Sequence, residues 1–201
     1  ADLEAGEDTF DTSDREEKKA QDDGPTRHPV SFMLGLTKPV IAAINGPAVG
    51  VGVTMILPFD IRIAAESAKI GLIFNRRGIL PELSTPWLLP KITGLSNAAE
   101  LMYTGRILKA QEAKEYGLVS KVVPDADLMP TARALAEEIA INCAPVSVAL
   151  TKSMIYNFLQ ENDLEGVERV NEEYFRWLGQ QPEPKEGVMS FLEKRPPQWK
   201  L

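Results

Sequence analysis

Apolar residues in this chain come in short runs punctuated by glycine and proline, and only toward the C-terminus do they settle into long helical spacing. The apolar run 40–44 and the mixed segments 59–64 and 68–72, five or six residues each, read as strands. Ser84 or Thr85 is placed to cap a helix with Pro86 in its first turn, running to about Ile92 before Gly94 stops it. Further helices are predicted over residues 97–103, 110–116, 128–142, 145–160 and 164–178. In the third of these, Leu128, Ala132, Leu135 and Ile139 fall four, three and four apart, which gathers them on one face. Strands alternating with helices argue for an α/β class with a helical C-terminal part.

Charge changes this picture at one end. Residues 1–23 hold ten acids and three bases, a net charge of −7 that equals the formal charge of the whole chain, so the remainder is electrically balanced. The acidic opening, to about residue 34, is polar and poor in apolar residues, the composition of a solvated surface loop. No basic footprint invites nucleic acid. With 201 residues and 44% hydrophobic content the chain can build one domain with a substantial core. No apolar run approaches the roughly 20 residues that span a bilayer, and no basic-then-apolar leader opens the sequence, so the expectation is a cytoplasmic protein without a membrane partner. Cys143, the only cysteine, excludes an internal disulfide and is expected to be a small buried apolar side chain. His28, the only histidine, excludes a histidine-based metal cluster, so no metal is expected.

The most informative stretch is Asn45-Gly46-Pro47-Ala48-Val49-Gly50-Val51-Gly52, which joins one apolar run to the next. Its glycines read G-x-x-x-G-x-G, which is not the G-x-G-x-x-G of a dinucleotide site, and Gly52 is followed by Val53-Thr54 where a phosphate loop needs lysine. Two readings remain. Glycine can simply permit tight strand-to-helix packing, or the unpaired N–H groups of a helix start can serve a carbonyl oxygen that becomes negative during reaction.

The segment from Lys38-Pro39-Val40-Ile41-Ala42-Ala43-Ile44 into this turn closely resembles the signature of the crotonase superfamily, the enoyl-CoA hydratases and isomerases. The resemblance continues through Phe59-Asp60-Ile61-Arg62-Ile63-Ala64, Arg77-Gly78-Ile79-Leu80-Pro81-Glu82, Thr104-Gly105-Arg106, Ala110-Gln111-Glu112-Ala113 and Gly117-Leu118-Val119, and ends in Phe191-Leu192-Glu193-Lys194-Arg195-Pro196. Ala1-Asp2-Leu3 is similar to the end of the family's first oxyanion loop, which implies that the N-terminal strands of the spiral precede what is present here. The fold so implied is a crotonase (ClpP-like) spiral of ββα units over residues 1–125, acidic loop included. A helical region over 126–201 would follow, crowded with Tyr174, Phe175, Trp177 and Leu178, and would pack into a homotrimer or a dimer of trimers.

The same resemblance implies an acyl-CoA thioester substrate, with coenzyme A part of the substrate and no separate cofactor. Main-chain N–H groups of Val51 and Ala1 would form the oxyanion hole, and Ala1, Asp2, Leu3, Gly50, Val51 and Phe74 would contact substrate. The two glutamates of the family's hydratases fall at Thr54 and Phe74, so both are replaced. Glu82 occupies the position where crotonase-fold isomerases can carry a single catalytic glutamate, which predicts movement of a 3-enoyl double bond to the 2-position. Hydration of a 2-enoyl-CoA and a non-catalytic acyl-CoA-binding or scaffold module are the alternatives. Arg76-Arg77 could reach the coenzyme A phosphates, and Phe74 and Trp87 could line an acyl pocket, core packing being the simpler role for Trp87.

Overall fold

The computed structural model describes residues 28–199. The strands are β1 (Ile41–Ile44), β2 (Pro47–Val49), β3 (Ile61–Ala65), β4 (Lys69–Gly71), β5 (Ile107–Lys109) and β6 (Lys121–Val123). They form two three-stranded sheets, β1-β3-β6, which is parallel throughout, and β2-β4-β5, in which β2 and β4 run parallel and β5 antiparallel. The chain steps from one sheet to the other as it advances from β1 to β4. The helices are α1 (Pro29–Leu34), α2 (Val51–Thr54), α3 (Thr85–Thr93), α4 (Leu95–Thr104), α5 (Ala110–Glu115), α6 (Leu128–Asn142), α7 (Pro145–Phe158), α8 (Leu164–Leu178) and α9 (Pro182–Glu193). Pro29–Leu34, assigned above to the acidic loop, is thus helical, its proline at the start where a missing N–H costs nothing.

Strand β3 divides two cores, because alternate side chains leave a strand on opposite faces. Ala64 joins the main cluster with Val53, Leu72, Phe74, Leu88 and Leu89, whereas Ile63 and Ala65 meet Leu128 and Ala132 of α6. The face anticipated on α6 is used there: Leu135 also packs on the smaller cluster, and Ile139 at its far end is half-buried. Cys143 just beyond is exposed, not buried as expected, because α6 ends at Asn142 and the chain turns away from the core.

Helix α7 is fastened to β3 by charge. Lys152, only 4% exposed, places Nζ 2.8 Å from Asp60 Oδ2 and 3.0 Å from the Lys38 carbonyl. One turn on, Tyr156 donates its hydroxyl to Asp60 Oδ1 at 2.9 Å, and the Val40 N–H donates to Asp60 Oδ2 at 2.6 Å. Asp60 therefore joins the entrance of β1, the entrance of β3 and α7. Arg62 beside it is spent on main-chain carbonyls, those of Leu57, Phe59 and Leu118, and desolvation by burial holds its pKa below the ordinary value. Helix α7 has no side-chain cap of its own, and Glu183 at the start of α9 supplies one by accepting the Val146 N–H at 3.1 Å.

Candidate active site

Gly50 makes the turn that opens α2. Its φ of 59° and ψ of −123° lie in territory that a side chain all but forbids, so glycine is required here. Of the three glycines in this stretch only Gly50 takes a positive φ; Gly46 and Gly52 do not. The Gly50 N–H donates to the Gly71 carbonyl at 2.9 Å, and its own carbonyl accepts from the N–H groups of Val53 and Thr54 at 3.1 and 3.2 Å. The N–H groups of Val51 and Gly52 precede the first of these helical bonds, as the opening donors of a helix must. Val51 stands at the first helical position and is 42% exposed. An exposed helix start with donors not committed to its own backbone is what an enolate oxygen needs.

The short 3-10 helix Ile73–Arg77 follows β4 and passes directly by this turn: Ile73 Cγ1 lies 3.9 Å from where a Cβ on Gly50 would be. Next to it, Phe74 is 5% exposed and packed in the main core, so its ring serves the floor beneath α2 and not an open pocket wall. Thr54 is fully buried with its hydroxyl 3.2 Å from the Val51 carbonyl. The two positions that the resemblance matches to hydratase glutamates are therefore closed off by an apolar ring and by a hydroxyl turned onto the backbone.

Glu82 sits on the segment that leaves this 3-10 helix, exposed, between Ile79 and Leu83, both of which pack against the same core cluster as Val53 and Phe74. The backbone just after it is held in a costly shape. Leu83 and Ser84 have φ of 51° and 57°, and the Thr85 N–H donates to the Glu82 carbonyl at 3.0 Å, the pattern of a type I′ turn. Left-handed geometry costs a non-glycine residue on the order of 1–2 kcal/mol, so the turn persists only because its surroundings dictate it. The helix cap anticipated at Ser84 or Thr85 takes a different form: neither side chain caps α3, and the Thr85 hydroxyl reaches back instead to the Glu82 carbonyl at 2.5 Å. Sequence reasoning missed this arrangement. Pro81 and Pro86 mark the segment as a turn, but nothing about leucine signals a left-handed backbone.

The remaining candidates fall elsewhere. Arg76 donates Nε to the Thr104 carbonyl at 2.6 Å, and both Arg76 and Arg77 are exposed. Trp87, expected in the core, is 36% exposed with Lys91 Nζ 4.9 Å above its ring, because it projects from the first turn of α3 away from buried Leu88 and Leu89. Ala1, Asp2 and Leu3 lie outside the described residues, as does most of the acidic loop. Among the described residues no group of three or more His, Cys, Asp or Glu is placed to hold a metal. Nor is any single helix among them long and apolar enough to cross a membrane. Cavities of about 400 and 370 Å³ open near Glu183 and Cys143, and neither is lined by Val51, Phe74 or Glu82.

A sequence profile of the family described as enoyl-CoA hydratase/isomerase matches residues 4–201. The chain belongs to this family. An enoyl-CoA hydratase of Alternaria alternata is 44% identical over 163 residues, which cover 81% of this chain and 54% of that protein. The 1,2-epoxyphenylacetyl-CoA isomerase of Escherichia coli (strain K12) is 39% identical over 170 residues, 85% of this chain and 64% of that one. The crystal structure of an enoyl-CoA hydratase from Bacillus anthracis superposes with a TM-score of 0.79 at 40% identity, covering 92% of this chain and 74% of that one. The fold is accordingly the crotonase fold, and the two sheets traversed in turn are its spiral. The chain spans about half the length of the first of these curated relatives.

Proposed function

We propose that this chain belongs to an acyl-CoA-processing enzyme that moves the double bond of a 3-enoyl-CoA to the 2-position. In the reaction so assigned, the Glu82 carboxylate removes a proton from C2, and the electrons of that C–H bond flow into a dienolate whose negative charge rests on the thioester oxygen. The Val51 N–H, with that of Ala1, stabilises this oxygen. The same carboxyl group then returns the proton at C4, which leaves the double bond between C2 and C3 and regenerates the thioester. One carboxylate suffices, since every proton removed is given back. The observation that carries this reading is the contrast between the three acid positions: Glu82 is exposed on a rigidly held turn, whereas Thr54 and Phe74 are buried.

A second reading is hydration of a 2-enoyl-CoA, favoured by the Alternaria relative, which is an enoyl-CoA hydratase. Adding water needs a group to hold and deprotonate it, and the closed positions at Thr54 and Phe74 offer neither. The test runs both assays on the intact polypeptide, following the conjugated thioester as it forms from trans-3-hexenoyl-CoA and as it disappears from crotonyl-CoA. Isomerisation is expected to be the faster, and Glu82→Gln is expected to lower its kcat by about 10²- to 10⁴-fold, the usual worth of general acid–base catalysis. Faster hydration, or Glu82→Gln with most of its turnover intact, overturns the assignment. Acyl-CoA binding without turnover of either compound returns it to a non-catalytic module.

A further inference from the structure

The turn at Glu82 is better secured than a surface loop needs. Its carbonyl oxygen accepts two hydrogen bonds from the same residue, the Thr85 N–H at 3.0 Å and the Thr85 hydroxyl at 2.5 Å. Thr85 is fully buried and is the first residue of α3, whose Leu88 and Leu89 are sunk in the main core. The Ser84 carbonyl in turn accepts from the N–H groups of Trp87 and Leu88. A chain that merely had to pass from Pro81 to α3 would relax out of the left-handed conformations at Leu83 and Ser84; here both are held. The hydroxyl has no need of this partner to start the helix, since the N–H already closes the turn.

We propose that Thr85 is a positioning residue for the reaction: its buried hydroxyl, by donating to the Glu82 carbonyl, fixes the peptide from which the Glu82 carboxylate reaches the substrate. This rests on Glu82 being the acid/base. The Thr85 hydroxyl bonds to the Glu82 main chain, so its action on the carboxylate runs through the backbone. An acid/base group must hold hydrogen-bond reach of C2 and then of C4, and displacement by about 1 Å in such a constellation can cost on the order of 10²-fold. A free Glu82 peptide would let the carboxylate wander by that much, while leaving the coenzyme A contacts untouched.

The test is a cycle of Thr85→Val and Glu82→Gln on the intact polypeptide with trans-3-hexenoyl-CoA, with Thr85→Ser as the conservative variant. Thr85→Val keeps the shape and removes the donor. It is expected to lower kcat by about 10- to 100-fold with KM within about twofold, and to cost nothing further in the Glu82→Gln background. Thr85→Ser is expected to restore kcat to within about threefold of the parent. If Glu82→Gln collapses turnover but Thr85→Val leaves kcat in place, or lowers only the melting temperature, the positioning role is wrong and the acid/base assignment stands. A loss in Thr85→Val that multiplies unchanged with that of Glu82→Gln also overturns it, because the hydroxyl then acts independently. If Glu82→Gln retains turnover, both fall together. Should Thr85→Val fail to fold, Thr85→Ala, which leaves a small void in place of a mismatched methyl, is read by the same criteria.

Discussion

At Val51 the group assigned to chemistry is main chain, so the usual logic of side-chain replacement is inverted. Val51→Ala alters only a side chain that is already half open to solvent and is expected to keep most activity. Val51→Pro deletes the N–H, and it does so at the first helical position, where proline is tolerated because no helical bond is lost. The expected result is a fall in kcat of about 10²- to 10³-fold, the worth of one oxyanion donor, with a melting temperature close to the parent's. Equal rates in the two variants, both folded, would remove Val51 from the mechanism. Gly50, Val51 and Glu82 were all legible as candidates, because glycine spacing and family motifs leave a trace in the sequence. The Thr85 hydroxyl was not. Its role is visible only once Leu83 and Ser84 are seen to be left-handed, a backbone property those side chains do not advertise.

Between elements, the Asp60, Lys152 and Tyr156 cluster fastens α7 to the sheet. Lys152→Met keeps the length of the side chain and leaves the Asp60 carboxylate mostly buried without its countercharge. A loss of about 3–5 kcal/mol in unfolding free energy is expected, measured by chemical denaturation. An effect below about 1 kcal/mol would mean that Tyr156, the Val40 N–H and the nearby Arg62 charge satisfy Asp60 without Lys152. Tyr156 gives the same joint a pH signature. Burial first, and then its bond to Asp60, raises the phenol's pKa, so the folded state holds that proton more tightly than the unfolded chain does. The stabilisation is present below the unfolded value of about 10 and is lost as pH rises above it, so Tyr156→Phe should flatten the alkaline limb of the stability profile. The strands of the two sheets were readable in part. Residues 40–44, 59–64 and 68–72 correspond to β1, β3 and β4, whereas the three-residue strands β2, β5 and β6 lie inside the glycine turn, beside Gly105 or just before Pro124, where turn formers mask them. Helices α6 and α8 appear with their anticipated ends. Helix α9 escaped because Pro182, Pro184 and Gly187 read as breakers, although both prolines fall in a first turn that needs no N–H. The buried ion pair also escaped, since a lysine in an apolar helix gives no hint of a partner 92 residues away.

Across the whole molecule, large apolar side chains remain on the surface of the C-terminal helices: Phe175 is 79% exposed on α8, and Phe191 and Leu192 are 81% and 67% exposed on α9. Exposed apolar surface on this scale signals something that covers it, and a second copy of the chain is the occupant implied by the family resemblance. Light scattering of the intact polypeptide is expected to give a trimer or a multiple of one, and Phe175→Asp combined with Phe191→Asp is expected to give smaller species. A monomer before substitution would refute this. The spiral also has a temporal side. Strand β3 sits mid-sheet with one partner 20 residues behind it, in the register of Ile61 with Ile41, and the other 58 residues ahead, in the register of Ile63 with Lys121. A ribosome adding about 5–20 residues per second needs about 3–12 s to deliver that second partner. Throughout that interval the free edge of β3, running from Ile61 to Ala65, is a bare template for any strand that arrives first. A strand from another chain can take β6's place during those seconds, so slower delivery of residues 121–123 is expected to favour misassembly whatever the stability of the finished sheet.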